Sequence, residues 1–416
     1  MATTVPMFMQ QSAKGIMLPV GSLVTSQAGI PEDRVLVVIQ LAGGNDGLNT
    51  IVPFESDAYF SSRPQIAIGK PGSTRQAGGA ALELPNQESF GLHPNLTGLR
   101  ELIDRGHASI IQGVGYPNPN RSHFTSTDIW HTGKTSAQGY GWLGRYFDNT
   151  CAGAPSHNQK GSIAIGNKAP LALYGKTQKA VNFETEELFK WAGTNASNAL
   201  EDSYDEINRA ESLDGVEKDS QLDFLVRTAL DAQVSSDRIR AAVSKRPLVS
   251  YPNSKLAQQL QLIASMVRAD LPTRVYYASL GGFDTHANQI GSHANLMRQL
   301  GDSLLAFQND LAKQGNTGKV TTMVFSEFGR RVAQNGSSGT DHGTAAPMFV
   351  IGEHVSPGLI GEHPSLKKLD QGDLMFSTDF REVYTSVLSD WMGADAKDIL
   401  GKSYRNADIF KKSLNT

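Results

Sequence analysis

The pattern of apolar and polar positions divides the chain into short apolar runs separated by stretches of helical period. Val35–Leu41 (VLVVIQL) is almost continuously apolar and rich in β-branched residues, as expected of a strand covered on both faces in a parallel sheet. It stops at the turn cluster Ala42-Gly43-Gly44-Asn45-Asp46-Gly47. Ser109–Val114 (SIIQGV) predicts a second strand and Ser162–Ile165 a short third. Arg274–Leu280 (RVYYASL), Thr321–Phe325 (TTMVF) and Met348–Ile351 predict three more. Helices are predicted over Leu92–Arg105, from Ser122 to Thr132, through most of Glu184–Ala269, around Leu296, Leu300, Phe307 and Leu311, and over Asp379–Trp391. Within the long helical stretch, Leu256, Leu260, Ile263 and Val267 recur at spacings of four, three and four, one face of a helix. The polar, acidic Asn195–Asp219 reads as a surface insertion. Strands alternating with helices predict an α/β fold with a mainly parallel sheet covered by helices on both faces.

Composition narrows this picture. Hydrophobic residues make up 39% of the 416 positions and charged residues 19%, ordinary for a globular protein with a sizeable core. The length suits one large α/β domain over 33–416 with a helical insertion near 184–270. The formal net charge is −3 and no basic run supplies the footprint of a nucleic-acid groove, so nucleic acid is not an expected partner. The single cysteine, Cys151, cannot form an intrachain disulfide or a cysteine-rich metal site. No stretch reaches the ~18 continuous apolar residues that a membrane helix needs. Residues 1–32 carry one charge before Ile30, Lys14, and lack a positive n-region; they read as an N-terminal arm or the remnant of a leader.

The chemistry-bearing residues follow the strands. Asp46 comes after the first strand, and Arg121, Ser122 and His123 after the second. Asp284 and His286 follow the Arg274 strand, and Glu327 follows the Thr321 strand. Asp341 and His342 lie just before the Met348 strand. In open α/β sheets ligands bind outside the carboxyl ends of strands. Carboxylates and imidazoles are the ligand set of zinc and related divalent ions, and such an ion relieves the repulsion of converging carboxylates. Ser122, at a predicted helix N-terminus, is placed to act as a nucleophile on an anionic ester, with Arg121 adding positive charge. Taken singly, each of these residues also reads as an ordinary turn, cap or ion-pair residue. The remaining histidines, at 93, 107, 131, 157, 293, 354 and 363, lack this placement and read as surface or structural.

The segments Ala42–Asn49 (AGGNDGLN), Asn120–Phe124 (NRSHF), Gly282–His286 (GFDTH), Ser326–Arg330 (SEFGR) and Gly339–Gly343 (GTDHG), with Thr378–Arg381 (TDFR) and Asp390-Trp391, resemble the marks of the bacterial domain-of-unknown-function 1501 family. The resemblance runs from about Asp33 to the C-terminus. That family is similar to the alkaline phosphatase and sulfatase superfamily, and its members are often exported by the twin-arginine route. The resemblance therefore implies an alkaline-phosphatase-like fold and a periplasmic or secreted location. Here the leader would be missing from the chain, since no twin arginine precedes Asp33. By the same resemblance, Asp46 stands for the first-strand metal ligand and Ser122 for the nucleophile. Asp284 and His286 stand for the Asp and His of one metal site, spaced by two where alkaline phosphatases use four. Asp341-His342 admits two readings. It is either the pair that ends a strand in phosphatases, or Glu327 replaces that pair and His342 is a late metal ligand with Asp341 as ligand or orienter. On the second reading Phe328 stands where a further histidine is expected. A formylglycine sulfatase is disfavoured because Pro117 fills the key position before Pro119 and Arg121.

These readings imply a metal-dependent hydrolase of phosphate or sulfate esters, using a serine nucleophile or a metal-activated water. The substrate would be a small-molecule or polysaccharide ester. The metal would be zinc, with calcium, manganese or iron as alternatives. The rival readings are a non-catalytic binding or scaffold protein on a decayed phosphatase fold, and a metal-dependent redox protein.

Overall fold

A computed structural model describes residues 33–150, 161–177, 180–183 and 238–412. The arm at 1–32 and most of the expected insertion, including Asn195–Asp219, lie outside the described residues.

Among the described residues, nine strands form the main sheet: β1 (Val35–Ala42), β2 (Ala108–Gly115), β3 (Gly161–Ile165), β4 (Val181–Phe183), β5 (Thr273–Gly281), β6 (Val320–Phe325), β7 (Ala346–Ile351), β8 (Gly358–Ile360) and β9 (Thr378–Asp379). Their spatial order is β8-β2-β7-β6-β1-β5-β3-β4, with β9 also beside β2. β1 pairs in parallel with β5 and β6, and β5 in parallel with β3. β7 is antiparallel to both β6 and β2. The sheet is thus mainly parallel, as the apolar runs imply, with one reversed strand that no sequence pattern marks.

β1 shows why such runs form central strands. Val35, Val37, Ile39 and Leu41 enter one core and Leu36 and Val38 enter the other, so the sheet is buried on both sides. The first core is completed by helices α1 (Thr97–Asp104), α4 (Lys255–Arg268) and α5 (Gln289–Gln314). The second is completed by α2 (His123–Thr132), α3 (Trp142–Thr150) and α6 (Phe380–Ser386). Each burial of a Val, Leu, Ile or Phe side chain contributes roughly 1.5–3 kcal/mol before entropy is counted.

Two helix expectations change in detail. The Leu92 end of the predicted Leu92–Arg105 helix is a strand, Gln87–Leu92, and the helix starts only at Thr97. Leu92 pairs with Ile51 and Leu82 in a small separate sheet, and His93 precedes Pro94, which disfavours helical backbone there. The closing helix runs over Phe380–Ser386 with Asp379 as its cap, and its last turn, Val387–Trp391, is a π-helix.

Register brings the loops of interest to one edge. Ala42 of β1 is opposite Gly281 of β5, and Gln40 is opposite Phe325, the last residue of β6. Because β7 is reversed, its first residue, Ala346, lies opposite Val114 near the end of β2. The segments after β1, β2, β5 and β6 and the segment before β7 therefore meet at the carboxyl edge.

Candidate metal centre

The turn after β1 has to pass beneath two other loops. Gly43 and Gly44 take φ values of 119° and 79°. A Cβ on Gly43 would lie 2.5 Å from the Asp284 amide nitrogen, and one on Gly44 would lie 2.4 Å from the Phe328 ring. Only glycine allows both the left-handed backbone and this approach.

Above that turn, three imidazoles converge on one carboxylate oxygen. Asp284 Oδ1 lies 3.0 Å from His286 Nε2, 3.1 Å from His342 Nε2 and 3.4 Å from His123 Nε2. The Nε2 atoms of His286 and His342 are 3.0 Å apart. His123 and His342 stand ring to ring, and the buried Phe328 ring backs both. Phe328, at the position where the resemblance expects a histidine, is thus an apolar wall.

The other nitrogen of each ring is occupied. His123 Nδ1 is 2.8 Å from Glu327 Oε1, His286 Nδ1 is 3.1 Å from Asp341 Oδ1, and His342 Nδ1 is 2.8 Å from the Arg121 carbonyl. All three partners are acceptors. They place the proton of each neutral ring on Nδ1 and turn the Nε2 lone pairs toward one another and toward Asp284. Three lone pairs and a carboxylate oxygen at these distances repel unless a cation sits among them. The buried Nε2 of His123 also has no hydrogen-bond partner among the described residues. Ligand atoms around a tetrahedral zinc ion lie roughly 3.3–3.5 Å apart, so the donor types and the 3.0–3.4 Å separations of Asp284 Oδ1 from the three Nε2 atoms fit a divalent metal.

Arg330 fixes this arrangement from below. Its side chain is fully buried. Nε donates to the Gly44 carbonyl at 2.7 Å and Nη1 to the Thr340 carbonyl at 2.9 Å. Nη2 meets the Phe283 carbonyl at 2.9 Å, Asp284 Oδ1 at 2.7 Å and the Gly43 carbonyl. One guanidinium thereby joins the turn after β1, the turn after β5 and the loop before β7. Partial burial alone would raise the Asp284 pKa. The hydrogen bond and the charge of Arg330 act against it and lower the carboxyl pKa.

The residues expected from the sequence are brought to this edge in unequal roles. His123, grouped with Arg121 and Ser122 as a catalytic candidate and not as a metal ligand, joins the imidazole group, alongside Asp284, His286 and His342. Glu327 and Asp341, read as ligands, touch the outer nitrogens of His123 and His286. Asp341 is set against His286, not against the adjacent His342. Glu327 is also held by the Gly43 N–H at 2.8 Å. Asp46 has other partners. It forms a fully buried ion pair with Arg63 at 2.6 Å and accepts from Gln289, while its Oδ1 has no hydrogen bond among the described residues. Burial would raise the Asp46 pKa, but the Arg63 guanidinium overrides that and lowers it. The Arg121 guanidinium is engaged by Asp373. Ser122 caps α2 in extended conformation and is exposed. Its side chain makes no capping bond.

Sequence reading missed Arg63, Asp373 and the part played by Arg330. Neither Arg63 nor Asp373 follows a predicted strand, and an isolated charged residue carries no signal of burial.

The molecule is therefore a mixed α/β protein with a histidine–carboxylate cluster at the carboxyl edge of a mostly parallel sheet. A family profile described as "Protein of unknown function (DUF1501)" matches residues 33–382, and the chain belongs to that family. No curated protein matches the sequence. Solved structures similar to it include the lipoteichoic acid synthase LtaP from Listeria monocytogenes, at 9% identity and a TM-score of 0.38, covering 94% of this chain and 79% of that one. A protein in the alkaline phosphatase superfamily from Vibrio parahaemolyticus matches at 10% identity and a TM-score of 0.39, covering 96% and 79%. The C-terminal periplasmic domain of EcEptC from Escherichia coli matches at 9% identity and 0.38, covering 94% and 90%.

Proposed function

We propose that the chain is a metal-dependent hydrolase of phosphate or sulfate esters, with His123, Asp284, His286 and His342 as ligands of one divalent ion, zinc in the first instance. The observation that carries the metal is the convergence of three Nε2 atoms on Asp284 Oδ1 while every Nδ1 already faces an acceptor. Glu327, Asp341 and the Arg121 carbonyl orient the rings, as outer partners of metal-bound histidines commonly do. A divalent ion held there would polarise an ester oxygen and acidify a water molecule. Hydrolysis as the reaction rests on the family resemblance and on Ser122. Its exposed hydroxyl stands next to His123 at the N-terminus of α2, where backbone N–H groups favour an anion. Ser122 would attack the phosphorus or sulfur atom, or anchor the ester while water attacks. The same resemblance supports a location in the periplasm or outside the cell.

Elemental analysis of protein purified without chelators should give close to one divalent ion per chain, and turnover of an aryl phosphate or sulfate should disappear in Asp284→Asn. A metal-free protein that stays folded and inert across a broad ester panel would overturn the reading. One observation favours a second reading, a metal protein that binds without turnover: the Arg121 guanidinium is already paired with Asp373. Ligand binding with no turnover in the metal-loaded protein would select it, and any turnover lost in Ser122→Ala would exclude it.

A further inference from the structure

Two arginines flank the loop of Asp341 and His342, and both close on one buried carboxylate. Asp373, 1% exposed, accepts from Arg121 Nη2 through Oδ2 and from Arg331 Nε at 3.2 Å through Oδ1. The main chains of both arginines touch the centre itself. The Arg121 carbonyl lies 2.8 Å from His342 Nδ1, and the Arg331 N–H donates to the Asp341 carbonyl at 3.0 Å. Asp373 sits in a short hairpin, Leu369–Asp370 against Asp373–Leu374, which the Thr344 hydroxyl ties to the site by donating to the Leu374 carbonyl.

Such tethering is more than two exposed salt bridges need. The side chains of Arg121 and Arg331 remain open to solvent, at 41% and 37%. Arg121 gives only Nη2 to Asp373, and Arg331 gives Nε to Asp373 and Nη2 to the Gln371 carbonyl, so both retain donors. Two guanidiniums against one carboxylate leave one net positive charge beside the centre. An arginine fork already held in place loses less freedom when it takes up an anion.

We propose that Arg121 and Arg331, set by Asp373, form a subsite for a second anionic group on the substrate whose ester reaches the metal centre. The substrate class is then an ester carrying at least two anionic groups, the second a carboxylate, sulfate or phosphate. This inference rests on the ester reading of the neighbouring centre.

Phenylphosphonate and its meta- and para-carboxy derivatives separate the two ideas, because they differ only in the second anion. Binding would be measured by calorimetry on the metal-loaded, full-length protein. At least one carboxy derivative should bind about tenfold more tightly than phenylphosphonate, with the preference shrinking at high salt. Arg331→Met should abolish the preference and leave phenylphosphonate binding unchanged, whereas His286→Ala should weaken all three probes. Equal binding of the three probes to the wild type, or a preference that survives in Arg331→Met, overturns the subsite while leaving the ester reading in place. Failure of all three probes to bind overturns both.

Discussion

At the scale of single residues, the site divides into groups that face the shared space and groups that aim them. Asp341 is the clearest aiming residue. It lies outside the convergence of Nε2 atoms yet determines which nitrogen of His286 carries the proton. Asp341→Asn keeps the shape and removes the charge, so metal affinity should fall by about 10–100-fold in a competitive chelator titration, with the fold intact. An unchanged affinity would mean that the His286 ring is set by packing alone. Gly44 makes a separate demand. Gly44→Ala drives a Cβ into the Phe328 ring and forces a left-handed φ on alanine, so a loss of about 1–3 kcal/mol is expected in urea unfolding.

At the scale of elements, Arg330 decides whether the loops hold together. Without it, four backbone carbonyls and the Asp284 carboxylate lose a donor at once. A buried acceptor left without its donor typically costs about 1–3 kcal/mol. Arg330→Met should therefore lower the melting temperature by several degrees and release the metal. Arg330→Lys should recover little, because an ammonium cannot reproduce the planar fork. A further contact at this scale joins two helices. A Cβ on Gly98 of α1 would meet the Gly301 carbonyl of α5 at 2.3 Å. Gly98→Val should separate the pair and destabilise the protein by about 1–3 kcal/mol, without changing metal content in the protein that remains folded.

At the scale of the whole molecule, pH and metal act on stability together. Burial keeps His131, His293 and His363 neutral by lowering each pKa to about 4, well below the value near 6.5 of an unfolded chain. Between those values the unfolded state binds more protons, so stability falls as pH drops from about 6.5 to about 4. The slope is up to about 1.4 kcal/mol per pH unit for each imidazole. The lowered carboxyls of Asp46 and Asp284 act in the same direction, their contribution being lost as pH falls below about 4. Urea midpoints measured from pH 7 to pH 4 should decline steadily, and a flat profile would contradict the neutral-imidazole assignment. At neutral pH, stripping the metal should lower the melting temperature, and excess zinc should restore it, because an ion that binds only the folded state adds to its stability.

The chain alone settled the elements whose signal is local. Val35–Leu41, Ser109–Val114, Arg274–Leu280 and Thr321–Phe325 are strands because continuous β-branched runs have no better way to be buried on both faces. Asp284, His286, Glu327 and His342 were legible as site candidates because they stand beside those runs, and strand ends in such sheets share an edge. What lay beyond the sequence was which nitrogen faces which oxygen. Tertiary structure turned β7 round, so that His342 enters from the same edge. It drew His123 into the imidazole group, and gave Glu327 and Asp341 the outer nitrogens of His123 and His286. It also paired Asp46 with Arg63, 17 residues away, and Asp284 with Arg330, 46 residues away. Pairing across such distances depends on how loops pack once the sheet is formed. The hydrophobic pattern that builds the sheet carries no record of it.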